Sequence, residues 1–271
     1  MRFAPSHAME ISPANILSQT KYGLSDVRFT IFADSIADDC EALYSQFFGF
    51  SFENEVSQKR IFRTELFSVR GNVKCALVQT VGKLDFIVSP EVTQSEVNPV
   101  LPQIVAEEGA GFLVMPADNS QRKQFCDAAI ELVTVVEGIQ RVAVGERYLW
   151  HADTKIAAYE KLRVLLPHLA LDPAHSSDLH FRINRPLPFT KSSRSVQINR
   201  LGDWTAPGLV MMMKVNNIDN VANLGFAAAC NTDVNTSQED NLHDLSPSDL
   251  KVVTAALFEC SARLADKGDC P

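Results

Sequence analysis

At 271 residues the chain is long enough to bury a core without disulfide or metal staples. Apolar residues make up 46% and charged residues 21%, ordinary globular usage that excludes wholesale disorder. A net charge of −8 and a pI near 5.3 weigh against general affinity for nucleic acid or an anionic membrane, since the averaged surface repels both.

Residues 1–18 read as a loose leader: Pro5 and Pro13 interrupt it and no apolar run of signal-peptide type is present. Met9 offers an alternative start, which would make residues 1–8 an extension. Residues 19–89 then read as an N-terminal α+β subdomain. It opens with a β-branched and aromatic strand at 27–33. Ser35 with Asp38 three residues later resembles a capping box, and Ile36, Cys40, Leu43, Tyr44 and Phe47 fall on one face of a helix ending near Gly49. Residues 60–69, 73–81 and 84–88 follow as a meander, with turns expected at Gly71-Asn72 and Gly82-Lys83.

Pro90, Pro99 and Pro102 mark residues 90–103 as a linker. Residues 104–271 read as a C-terminal α+β subdomain, with a short strand at 112–115. A helix capped by Asp118 or Asn119 should bury Phe125, Ala129, Leu132, Val133 and Val136. Residues 139–150 suggest one strand, or a strand pair folded at Gly145. A second helix, capped by Asp153 or Thr154, carries Ala158, Leu162, Leu165 and Leu166 to a stop at Pro167. Strands are expected near 179–185, 196–201, 209–216 and 224–232. The last helix has Ser246 as N-cap, Pro247 in its first turn, Leu250, Val253, Leu257, Cys260 and Leu264 inward, and Gly268 as its end. The fold class is therefore α+β, predominantly antiparallel sheets backed by about four helices. Each half begins with a strand and a helix, which suggests two similar halves without a residue-level repeat.

The candidate site lies in residues 178–216, where Ile-Asn-Arg occurs twice, at Ile183-Asn184-Arg185 and Ile198-Asn199-Arg200. Arg182, Arg185, Lys191, Arg194, Arg200 and Lys214 oppose only Asp178 and Asp203, so the segment is cationic within an acidic protein. Strand alternation puts His180, Arg182, Asn184, Gln197 and Asn199 on one polar face, with Lys214, Asn216, Asn231 and Asp233 as its extension. Arg185 and Arg200 are expected at the sheet rim. Trp204 is expected on the 202–208 loop, as a contact residue or a lid folded back over the core. The ligand-binding set is accordingly His180, Arg182, Asn184, Gln197, Asn199, Arg200 and Trp204. Guanidinium and amide groups suit an anionic or polar small molecule, or a protein partner. The competing explanation is plain: an antiparallel sheet usually has one solvated face.

His175, Asp178 and His180 come nearest to a metal cluster, but their spacing aims the two rings along different vectors, and no metal or cofactor is expected. Asp34, Asp38, Asp39 and Glu41 read as helix-start acids, and Glu107-Glu108-Gly109-Ala110-Gly111 as a weak phosphate-loop signal. The chain lacks a Walker loop, a dinucleotide fingerprint, a nucleophile elbow and a zincin helix. Six cysteines without a Cys-x-x-Cys pair, and apolar runs too short to span a membrane, point to the cytoplasm. The sequence thus favours a non-catalytic binding or interaction protein. The alternative is a small-molecule enzyme, a hydrolase or metal-dependent, centred on His175 to His180. Nucleic acid on the sheet is the least favoured partner.

Overall fold

The computed structural model describes residues 23–34, 39–70, 73–90, 115–116, 120–215 and 218–269; for 115–116, 120, 209–215 and 218–224 it describes the backbone alone. The leader, most of the linker, Ser35, Asp38, the Gly71-Asn72 turn, Asp118, Asn119, Asn216 and the 107–111 loop lie outside these residues.

The chain begins with β1 (Gly23–Ala33), α1 (Cys40–Phe48), β2 (Asn54–Gln58), β3 (Arg63–Arg70), β4 (Val73–Thr80) and β5 (Lys83–Pro90). It continues with β6 (Met115–Pro116), α2 (Ser120–Leu132), β7 (Ile139–Ala152), α3 (Lys155–Leu165), β8 (His180–Asn184) and β9 (Leu187–Phe189). The last elements are β10 (Val196–Thr205), β11 (Gly208–Val215), β12 (Ile218–Thr236) and α4 (Pro247–Lys267). The twelve strands form one sheet of order β2-β3-β4-β5-β1-β7-β12-β10-β8, with β6 beside β1, β9 beside β10 and β11 beside β12. Each described pairing is antiparallel. The α+β reading, with antiparallel strands backed by four helices, is what the structure has.

The halves echo one another in topology. β1 pairs with β5, the last strand of its meander, and β7 pairs with β12, the last strand of its own. β1 and β7 then pair with each other, so the sheet runs continuously through both halves.

Several boundaries differ from the sequence reading, each for a local reason. Helix α1 is capped by Asp39, whose Oδ1 accepts from Ala42 N at 2.9 Å, and ends at Gly49 with φ of 78°. β2 has one apolar residue and no alternation, so pattern could not show it. β7 passes straight through Gly145, which pairs with Arg28 on one side and Asp233 on the other. β10 runs on to Thr205 and absorbs most of the expected 202–208 loop. Helix α4 begins as its sequence dictates: Ser246 Oγ accepts from Asp249 N at 3.1 Å, and Pro247 occupies the first turn.

All four helices pack on one face, called inner here. Phe47 of α1 stacks on Phe86 of β5 at 4.3 Å and meets Phe125 of α2 at 5.0 Å, while Phe258 of α4 lies 6.2 Å from Phe29 of β1. These rings and the alternate strand residues Val27, Ile31, Leu84, Val142, Val144, Val234 and Ile198 form one buried cluster.

A polar knot sits inside it. Arg122 of α2 forks onto buried Glu146 of β7, Nε to Oε1 at 2.8 Å and Nη2 to Oε2 at 2.9 Å, and Nη2 also donates to Phe258 O at 3.1 Å. Tyr148 Oη donates to Glu146, and Thr232 and Ser261 share a hydrogen bond of 2.6 Å beside it. Burial works against the Arg122 charge, but Glu146 overrides it and holds the pKa above the ordinary arginine value. Burial and the adjacent Glu146 carboxylate likewise push the Tyr148 phenol well up. Arg122→Met leaves Glu146 buried without a counter-charge, so urea unfolding should show a loss of about 3–5 kcal/mol. A loss below about 1 kcal/mol would show that the pair does not organise the core.

Candidate functional site

Alternation assigns the other, outer face its residues. On β8, His180, Arg182 and Asn184 are exposed there, while Phe181 and Ile183 turn toward the core. On β10, Gln197 and Asn199 lie outward and Val196 and Ile198 inward. Five of the seven expected ligand-binding residues therefore share one face, joined by Asn231 and Asp233 on β12. The side chain of Lys214 is outside the described set.

Arg200 and Trp204 are not on that face. Arg200 is 8% exposed, and its Nε donates to Arg185 O at 3.0 Å. It was expected at a strand end, but β10 continues five residues further, so strict alternation turns it inward with Ile198. Trp204 is 0% exposed. Its ring occupies the space above Gly202, where a Cβ would lie 2.1 Å from the indole, and Phe181 sits 5.9 Å away. Of the two uses considered for Trp204, contact residue or core cover, its position fits core cover.

The cationic segment is dispersed by the same alternation. Arg185 forks onto buried Asp269 beyond α4, with Nη2 to Oδ2 at 2.6 Å, and His168 Nε2 lies 3.2 Å from the same oxygen. Arg194 donates to the Asp240 and Asn241 carbonyls. Arg182 and Lys191 stay exposed.

Register exposes a feature that linear reading does not. Arg182 faces Asp203, Asp203 faces Asn231, Asn231 faces Arg147, and Arg147 faces Asp26. These five polar side chains cross β8, β10, β12, β7 and β1 in one row, spanning about 19 Å at ordinary strand spacing. Asp26 is pushed up by burial, opposed by the Arg147 charge and a hydrogen bond from Ser25. Two atoms of the row are buried without a hydrogen-bond partner, Arg147 Nε and Asp203 Oδ1. His180 Nε2 lies 2.9 Å from that oxygen, within ion-pair distance but without hydrogen-bond geometry.

Beside the row runs a chain of amides. Asn184 Nδ2 donates to Asn199 at 3.3 Å, Asn199 Nδ2 to Asn235 at 3.1 Å, and Asn235 Nδ2 to Asp233 at 2.9 Å. Asn199 and Asn235 line an open recess of about 560 Å³ with Arg141, Ser237, Gln238 and Glu239. Arg141 is held by Nε donating to Thr236 O at 3.1 Å and by its guanidinium lying 5.0 Å from the Phe32 ring.

Asp26, Arg141, Arg147, Asp203 and Asn235 were missed as site residues. Residues 141–148 carry a legible signal, since Arg141 and Arg147 occupy odd positions against Val142, Val144, Glu146 and Tyr148. The suspicion of a turn at Gly145 hid it. His175 and His180 engage separate carboxylates, Asp172 at 2.8 Å and Asp203 at 2.9 Å. Among the described residues no group of three His, Cys, Asp or Glu side chains is placed to hold a metal ion. Asp34 accepts from Gln140. No protein-family model matches the chain, and no curated protein matches it significantly.

Asp269 gives the site's surroundings a pH dependence. The hydrogen bonds from Arg185, with help from His168, hold its carboxyl below the ordinary value. Its stabilisation is therefore complete above the unfolded value of about 3.9 and lost as pH falls through the lower folded value. Asp269→Asn should lower Tm at neutral pH, with the gap to wild type closing below about pH 4. A gap independent of pH would contradict the assignment.

Proposed function

We propose that the chain is a non-catalytic binding protein whose outer sheet face captures a polar, mixed-charge partner. The observation that carries this reading is the cross-strand row of alternating charge, in which Arg147 Nε is buried without a hydrogen-bond partner and Asp203 Oδ1 has only the His180 ring beside it. A buried donor or acceptor without a partner costs stability, typically about 1–3 kcal/mol, and such groups are few in folded proteins. A ligand that accepts from Arg147 and donates to Asp203 satisfies both at once.

The two groups sit two strand spacings apart, about 10 Å. Asn231 between them offers both an acceptor and donors. A matching partner carries an anionic and a cationic group at that separation, as a short mixed-charge peptide does. The adjoining recess, with Arg141 and Glu239 on its wall, repeats the same balance of signs. Net repulsion of the acidic chain weighs less against such a partner than against a polyanion.

Among the described residues the cysteines at 40, 75, 126, 230 and 260 form no disulfide. Burial pushes the Cys75 thiol up to about 11 and the Cys126 thiol up to about 12. Among the described residues no helix is long and apolar enough to cross a membrane. Thiols outside disulfides suit the cytoplasm we assign to the protein.

Thermal denaturation with a panel of di- and tripeptides pairing Asp or Glu with Arg or Lys tests the reading. At 100 times Kd, one such peptide should raise Tm by about 5 °C or more, and Asp203→Asn and Arg147→Met should each abolish the shift. No shift across the panel, or equal shifts in wild type and both variants, would contradict it.

A further inference from the structure

The two ends of the sheet are finished differently. At the β8 end, His180, Arg182 and Arg185 supply charge, Pro186 precedes β9, and Pro188 lies within it opposite Gln197. Charge and proline are the usual guards against strand pairing at an edge. The β2 end has neither guard within Asn54–Gln58 apart from Glu55, and all five of its residues are exposed. Among the described residues β2 pairs with β3 alone.

The tip that follows is unusual in two ways. A 3-10 turn, Lys59–Ile61, leads into Phe62, whose φ of 47° lies in the left-handed region that bulky side chains avoid. Ile61 and Phe62 are also 58% and 74% exposed, and Val56 on the strand itself is 46% exposed. Strained backbone that presents an aromatic ring to solvent is more often found at a contact than on a bare surface.

We propose that the β2 edge pairs with the β2 edge of a second copy of this chain, antiparallel, about a two-fold axis at Val56. Charge complementarity selects this occupant. Glu53, which pairs with Arg70 at 3.1 Å and keeps its side chain 45% exposed, precedes the strand and Lys59 follows it, so in this register Glu53 of each copy meets Lys59 of the other. Asn54 meets Gln58, Glu55 meets Ser57, and the exposed valines meet on the axis. A shift of the axis to Glu55 would oppose two like charges, and a shift to Ser57 would leave Val56 against Gln58. An acidic or basic strand from elsewhere would satisfy only one end of an edge with Glu53 and Glu55 toward one end and Lys59 and Arg60 at the other. Continuation past the ladder brings Ile61 and Phe62 toward Phe50 and Phe52 of the second copy, two half-buried rings at the end of α1.

Five ladder residues bury less than the roughly 1,200 Å² of a standard stable interface, so the dimer is a weak, micromolar one. Sedimentation equilibrium over a concentration range reaching hundreds of micromolar tests it. Wild type should move from 29.9 kDa toward twice that mass. Val56→Lys should weaken association about tenfold or more without lowering Tm, because Val56 is already 46% exposed and a lysine there can extend its ammonium into water. Lys59→Glu should weaken it about fivefold, and adding Glu53→Lys to the same chain should restore it. Wild type that stays monomeric throughout, or a dimer indifferent to Val56→Lys and Lys59→Glu, would overturn the proposal.

Discussion

The fork between Arg122 and Glu146 is the constraint on which the other features depend. It joins α2 to the central strand β7, and through the Phe258 carbonyl it reaches α4. Two buried charges are tolerable only in a geometry that satisfies both, so the pair admits one placement of the helices over the sheet. Aromatic packing of Phe47, Phe86, Phe125, Phe29 and Phe258 fills the space around it but is less particular about register. With the helices fixed on the inner face, every second strand residue belongs to the core. The remaining side chains form the outer face, which has a small buried cluster of its own at Leu149, Ala227 and Ala229.

That division decides the fate of each charge. Seen along the chain, residues 178–216 are a cationic cluster. Seen in the fold, Arg185 and Arg200 face inward and are tied to Asp269 and a carbonyl, while Arg182 faces outward beside Asp203. A cluster in sequence thus becomes separate sites once a strand divides it by parity. The outer row from Arg182 to Asp26 is its converse: five residues remote in sequence are aligned by register alone. Its charges alternate around Asn231, unlike the single sign of the linear cluster.

Much of this was legible in the sequence. Helix α4 announces itself through Ser246, Pro247 and Gly268, and the polar face of β8 follows from alternation at His180, Arg182 and Asn184. What escaped had specific causes. Gly145 left one strand and a folded pair both open, and the neighbours of β7 decide for one strand by imposing extended backbone on both sides. Trp204 resembled a loop residue because Gly202 and Pro207 flank it, whereas Gly202 is small so that the indole can lie across it. β2 has no apolar period, since it borders the sheet and buries neither face. The pairing of β1 with β7, which completes the polar row, is a long-range contact with no local signature.

Division of labour between the two faces is the central claim, and strand β10 carries both kinds of residue in strict alternation. Substitution along it, one position at a time, with unfolding free energy as the readout, is the most direct measurement. Ile198→Ala, Arg200→Ala and Trp204→Ala should each cost about 2–5 kcal/mol, and Gln197→Ala, Asn199→Ala and Thr205→Ala about 1 kcal/mol or less. Equal costs at odd and even positions would show that the outer face is also structural, and would contradict the account.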